Sequence, residues 1–362
     1  MFRKRNCAGQ VPAILPLICA VAVSTGFGAG ALQAQDNQGR NPAPLFLTET
    51  NGSPNFLAVI NARTKEMDFV PTGGTGGASG NAGGVAVEGR LAAAVNFGSS
   101  NVTIFVRRAN TMEPAQMIKT SSQPVSVAFG HGHLVVLGLT TAESFPVFGD
   151  TVGSNNDGVV QLLRSDKSAA QIVTYDGGAV YTEKSGDVTE LTFGMAGLIG
   201  PGLPVPLPAA PNNDTPFGMV ARGANVYLTI AHSDLEALVV NGQIISTAAG
   251  PMPFKDQSGN ITHAPCWNAL FGQFLFASDS PGKQLLRYLV SDSNVFFDKS
   301  SVAKLGGAPT DLDVQGSLLG VIDGGDGTTS NASLFDIDSE GELTLSFAVR
   351  IVGPITGAAI IP

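Results

Sequence analysis

An all-β chain folded as one seven-bladed β-propeller, with four strands to a blade, is what the sequence predicts, and three observations predict it. The first is composition: 45 Gly and 22 Pro in 362 residues, with only 14% charged, and short Val-, Leu- and Phe-rich runs set between Gly, Pro, Asn and Asp. That is the pattern of many short strands joined by turns. The second is a repeat. A small residue, Pro or Gly followed by a short apolar strand recurs at 83–87, 124–128, 170–173, 216–220, 265–269, 309–314 and 354–360, with centres about 41 to 49 residues apart. A period of that length is the length of a propeller blade. The third lies at the ends. The chain finishes on a lone first strand at 355–361, whereas the region after residue 44 begins with second and third strands, 45–48 and 56–60, that lack a first. The two ends therefore share one blade, and the ring closes by strand pairing and leaves few open edges.

Taken in order, the chain opens with a basic start at Arg3, Lys4 and Arg5. An apolar run over 11–23 follows, about 13 residues against the roughly 20 that span a bilayer. Small residues then offer cleavage after Ala31 or Ala34. Residues 1–34 read as a secretory signal and 35–43 as a short leader, with the propeller over 44–362. The protein is expected to be exported, to the periplasm or the extracellular space, with no membrane span in the mature part. Within it, second and third strands are expected at 91–96 and 102–107, 179–182 and 187–193, 226–230 and 235–240, and 274–277 and 285–290. The third blade is expected to carry an insertion over 140–158.

Removing residues 1–34 takes away three bases and no acids, which leaves 17 bases against 29 acids. Nucleic acid and anionic lipid are poor partners for so acidic a surface. Small molecules, glycans, proteins and cations remain as partners. Cys7 and Cys19 fall in the signal and leave only Cys266, so the mature chain forms no internal disulfide. Beside Trp267 in an apolar run, Cys266 reads as packing. A closed ring needs no second copy, so a monomer is expected.

Several stretches resemble one family: Thr72-Gly73-Gly74-Thr75-Gly76-Gly77, Ala94-Val95-Asn96-Phe97-Gly98-Ser99-Ser100-Asn101, Gln123-Pro124-Val125-Ser126-Val127-Ala128, Tyr181-Thr182-Glu183-Lys184, Thr215-Pro216-Phe217-Gly218 and Pro309-Thr310-Asp311-Leu312. They are similar to the secreted lactonase-type propellers, the group of YVTN-repeat proteins, the propeller type of 6-phosphogluconolactonase and fungal carboxymuconate cyclase. The resemblance runs from about Leu45 to Pro362. It implies the propeller fold and, as an expectation, lactone chemistry by His, Glu or Arg on the ring's upper face. The Tyr-Val-Thr-Asn signature is not intact here, and no compact catalytic motif of the family aligns, so no catalytic residue is carried over.

Candidate residues come from the upper face, which carries the loops leading into first strands and those joining second to third strands. Glu183, His263 and Asp311 are the candidate catalytic groups, with a carboxylate or imidazole as general base and Lys184 or a cation to meet an oxyanion. Gln123, Asp214, His232 and Trp267 are candidate ligand contacts. Asp323, Asp326 and Asn331, on the Gly-flexed loop Asp323-Gly324-Gly325-Asp326-Gly327-Thr328-Thr329-Ser330-Asn331, are candidate ligands for a divalent cation such as Ca²⁺; a solvated turn is the competing reading of the same residues. His131 and His133 alternate along one stretch and could share a face toward Zn²⁺, although structural zinc takes four ligands. Gly-x-Ser-x-Gly, the P-loop and His-Glu-x-x-His are all missing. Two functions follow: a binding or interaction scaffold, and, as the alternative, an enzyme that opens or forms a lactone with cation assistance.

Overall fold

In a computed structural model the described residues are 42–208, 215–250, 255 and 257–362. The signal expected over 1–34 and all but the last two residues of the leader expected over 35–43 lie outside them. Pro42–Pro362 forms one compact unit, and it is the expected ring of seven four-stranded antiparallel blades. Among the described residues there are two single-turn 3₁₀ helices and no helix long and apolar enough to cross a membrane.

Blade 1 joins the chain ends. Thr356–Ile361 is its innermost strand, followed by Leu45–Glu49, Phe56–Asn61 and Met67–Pro71. Leu45 pairs with Ile361 and Phe46 with Ile360, so the closure expected from the two ends is present. Blade 2 is Val85–Glu88, Leu91–Asn96, Asn101–Arg108 and Thr111–Lys119. Blade 3 is Pro124–Gly130, His133–Gly138 and Thr141–Phe148, with a split outer strand, Thr151–Val152 and Gly158–Gln161. The expected insertion over 140–158 is thus corrected. Most of it is the blade's third strand, and Thr151–Val152 folds back on that strand's end while Gly158–Gln161 pairs with its beginning.

The remaining blades are regular. Blade 4 is Ala169–Tyr175, Gly178–Glu183, Asp187–Gly194 and Gly197–Pro204. Blade 5 is Pro216–Arg222, Asn225–Ile230, Leu235–Val240 and Gln243–Ala249. Blade 6 is Pro265–Phe271, Phe274–Asp279, Gln284–Val290 and Val295–Lys304. Blade 7 is Pro309–Gln315, Leu318–Asp323, Thr329–Ile337 and Leu343–Val352.

The core lies in the seams between neighbouring blades, because alternate side chains of each strand face opposite neighbours. The seam between blades 1 and 2 packs Leu45, Leu47, Leu57, Phe105, Ala359 and Ile361. The seam between blades 5 and 6 packs Tyr227, Leu238, Leu275, Leu286 and Tyr288. A fully buried side chain of this size contributes roughly 1.5–3 kcal/mol, so the seams carry the stability that disulfides supply in small exported domains.

Each blade leaves the inner edge of its first strand unpaired toward the axis, and side chains from neighbouring blades satisfy it. Ser126 Oγ accepts the N–H of Ile172 (3.2 Å), and Gln171 Oε1 accepts that of Met219 (2.6 Å). Asp313 Oδ2 accepts the N–H of Ile360 (2.7 Å). Six of the seven first strands shift register near their start. Such bulges re-aim the side chains that make these links.

Candidate functional site

The seven first strands surround a central void of about 480 Å³. Its wall runs from Gly83, Gln171 and Asp311 at the upper end to Arg222, Gly272 and Val314 at the lower. The upper mouth is covered by residues 72–84, the connection from blade 1 to blade 2, in which seven of 13 residues are Gly. Instead of taking the short route, this segment crosses the ring. Asn81 Nδ2 donates to Ala169 O of blade 4 (2.7 Å), and Lys184 Nζ donates to Gly80 O (2.9 Å). Ala82 is buried among Trp267 and Leu312 of blades 6 and 7. The Gly83 N–H reaches Asp311 Oδ2 at 2.9 Å. On its near side Asn51 Oδ1 accepts the N–H of Ala78 (2.9 Å) while Asn51 Nδ2 donates to Ala78 O (2.7 Å). The segment is a lid, and the channel opens at the opposite mouth. There the guanidinium of Arg222 donates to Gly272 O and to the Tyr227 hydroxyl (3.1 Å). A second recess adjoins it, lined by Gly130, His131, Tyr175, Asp176 and Gly223.

The three candidate catalytic residues stand in three different blades, and each holds structure. Glu183, fully buried at the end of its strand, accepts the N–H groups of Arg164 (3.1 Å) and Ser165 (3.0 Å) and so fastens the loop entering blade 4. Burial raises its carboxyl above the usual range. Asp311 Oδ2 accepts N–H groups from Gly83 and, at 3.1 Å, from Ala358, which ties blade 7 to blades 1 and 2 across the closure. Burial pushes it up to about 7. His263 Nδ1 bonds Asp279 Oδ2 at 2.7 Å. Asp279 is held in turn by the N–H of Ala264 (3.2 Å) and by Gln284 Nε2 (2.8 Å).

Of the candidate ligand contacts, Trp267 is core: it is buried and meets Phe217 edge-on at 4.7 Å. His232 Nδ1 bonds the Thr215 hydroxyl at 2.7 Å. Gln123 Nε2 donates to Phe97 O at 3.5 Å, and Asp214 lies outside the described residues. The expected cation loop closes on itself. Asp323 Oδ1 takes Gly325 N–H and Asn331 Nδ2 (2.8 and 2.7 Å), while Asp326 takes the N–H groups of Thr328 and Thr329 and pairs with Arg350 at 2.6 Å. The Thr328 hydroxyl, which donates to Asp326 Oδ1 at 2.7 Å, and these N–H groups hold Asp326 well below the usual carboxylate range. The loop is a self-capped turn. His131 and His133 do not share a ligand either; His131 Nε2 bonds Tyr175 O (2.7 Å) and His133 Nε2 bonds Asp157 (2.9 Å). Among the described residues no three His, Cys, Asp or Glu side chains form a metal-sized group.

One regularity escaped sequence reasoning although its signal is there. Second strands end on Glu49, Glu183, Asp279 and Asp323, all buried, with Asn96 in the same place in blade 2. In blades 1, 4 and 6 the residue before is Thr48, Thr182 or Ser278, and Thr182 Oγ1 donates to the next blade at Phe217 O (2.8 Å). A hydroxyl residue followed by an acid is thus the punctuation of a strand end, and it accounts for acids that otherwise look catalytic.

No protein-family model and no curated protein matches the chain. Solved structures do. A candidate 6-phosphogluconolactonase from Bacteroides fragilis is 13% identical, with 88% of this chain and 98% of that one covered, at a TM-score of 0.62. Another from Bacteroides uniformis is 15% identical over 89% and 100%, at 0.64. A protein from Lactobacillus plantarum is 13% identical over the same shares, at 0.66. The likeness spans the whole ring and is a likeness of fold.

Proposed function

We propose that this chain is an exported, monomeric propeller that serves as a binding scaffold and takes a small ligand into the central channel through its lower mouth. The channel is the observation that carries this reading: about 480 Å³ lies beneath the lid, a volume suited to a small organic molecule. Its wall mixes apolar side chains such as Val173 and Leu270 with polar groups at Gln171, Asn268 and Arg222, which is the composition of a site that orients a ligand by few polar contacts. Export rests on the basic start and apolar run within residues 1–34. The test is a thermal-shift screen of sugars, organic acids and lactones on the purified mature chain, run beside Ala221→Trp at the lower mouth. A saturable rise in Tm that the variant loses is the expected result. No active compound, or an equal shift in the variant, counts against the channel.

A second reading, lactone opening or closure, is favoured by the His263–Asp279 pair. A buried carboxylate on Nδ1 leaves Nε2 as the basic atom, the arrangement of a positioned general base. Two of the similar structures are described as candidate lactonases, which sets the substrate class to try. Proton release from a lactone panel, with and without EDTA, is the measurement. His263→Gln is expected to lose at least about a hundredfold of any activity found, and full activity in that variant removes His263 from the chemistry.

A further inference from the structure

Three buried oxygen atoms on the seam between blades 5 and 6 lack a hydrogen-bond partner: Glu236 Oε2, Asn268 Oδ1 and the Tyr288 hydroxyl. Glu236 and Tyr288 are fully buried and Asn268 is 6% exposed. They belong to one neighbourhood. Asn268 Nδ2 donates to Glu236 Oε1 at 2.8 Å, and Glu236 is near enough for its charge to bear on the Tyr288 hydroxyl. Glu236 lies on the third strand of blade 5, while Asn268 and Tyr288 lie on the first and third strands of blade 6. Buried polar atoms are nearly always paired, and a buried carboxylate is paired or binds a metal.

Three agents could satisfy this set, and they differ in how much they explain. Burial favours a proton on Glu236; on Oε2 it would complete an acid–amide pair with Asn268 but leave the Tyr288 hydroxyl alone. A water molecule could bridge all three atoms but leaves the buried charge unbalanced. A cation seated among them would draw on all three oxygens and balance the carboxylate. A carboxylate, an amide carbonyl and a hydroxyl are the donors that hard cations choose. The surroundings agree, since Asp234 and Asp279 also direct negative potential at Tyr288.

We propose that Glu236, Asn268 and Tyr288 form a binding site for a small hard cation, which clasps blade 5 to blade 6. Asn268 also lines the central channel, which puts the site next to the channel wall. This is a different place from the self-capped Asp323–Asn331 turn, and its donor set contains a single carboxylate, so a search for clustered acids passes over it.

The test uses the full mature chain, stripped with EDTA and exchanged into a tetramethylammonium buffer. Melting is followed as CaCl₂, MgCl₂, NaCl or KCl is added at constant ionic strength, and bound metal is counted by elemental analysis after dialysis. At least one of the four cations is expected to raise Tm saturably at about one ion per chain. Glu236→Gln, which keeps the shape and removes the charge, is expected to weaken that ion at least about tenfold. Tyr288→Phe serves as a second variant, with a smaller weakening expected, should Glu236→Gln not fold. Equal Tm in all four salts with no retained metal overturns the site, as does full ion affinity in both variants. A rise in Tm on acidification that Glu236→Gln diminishes, with no cation dependence, overturns it in favour of a proton on Glu236.

Discussion

Asp311 illustrates how a residue that looks catalytic can be structural. Its carboxylate is spent on N–H groups of two other blades. Asp311→Ala would leave those buried donors unpaired, at about 1–3 kcal/mol each; we expect a loss of roughly 3 kcal/mol in urea unfolding, and an unchanged midpoint would show that the links do not matter. The same burial makes a prediction about pH. Burial pushes Glu49 to about 8, Asp311 to about 7 and Asp313 to about 6. Their folded-state values lie above those of the unfolded chain, so between about pH 4 and 8 the folded protein holds protons that the unfolded one has released. Stability from these groups is complete below pH 4 and is lost as pH rises through 6 to 8. Tm is therefore expected to fall from pH 5 to pH 8.5, and Asp311→Asn to flatten that slope. A Tm that rises over this range would contradict the assignment.

Among the elements, the lid over 72–84 depends on its roots and its backbone. Asn96 Oδ1 accepts from Thr72 Oγ1 (2.6 Å) and from Asn55 Nδ2 (3.1 Å), and Asn55 also donates to Glu49, so the root of the lid and the closing blade share one buried network. Asn51→Ala removes the near-side bonds to Ala78. It is expected to raise amide exchange across 76–83 severalfold while global stability changes by less than about 1 kcal/mol; unchanged exchange would mean that the far-side contacts hold the lid alone. Gly357, beside the lid's end, has φ +70° and leaves no room for a Cβ, which would stand 2.5 Å from Val85 N. Gly357→Ala is expected to cost about 2 kcal/mol or more through backbone strain and the clash.

Across the whole molecule, the ring is held by one closure. Phe105, fully buried in the seam between blades 1 and 2, is expected to cost about 3–5 kcal/mol as Phe105→Ala. Removing residues 355–362 deletes the innermost strand of blade 1 and uncovers the edges of two neighbours. We expect that truncation to abolish cooperative melting, whereas a chain that still melts in one transition at the original temperature would show that closure is dispensable. The lid also bears on the whole, because with the upper mouth covered the channel is reached from below.

The repeat was legible in the sequence because strand periodicity and turn residues are local. First strands at 124–128, 216–220 and 265–269 needed only an opening Pro and an apolar run. Closure followed from the unmatched strands at the two ends. The misjudged stretch, 140–158, lacks a clean turn before its third strand, so a strand and a folded-back edge read together as an insertion. The candidate site was legible only in part. Which loops share a face follows from the repeat, but whether Glu183 or Asp311 is available for chemistry depends on N–H groups that folding brings to it from elsewhere in the chain. By itself the sequence determined the class, the seven blades and the closing pair, all set by local pattern and chain order. Only the tertiary structure decided the lid across the axis, the acids bound to neighbouring blades and the three unpartnered oxygens between blades 5 and 6, because each depends on atoms from separate blades meeting at hydrogen-bond distance, which no local pattern encodes.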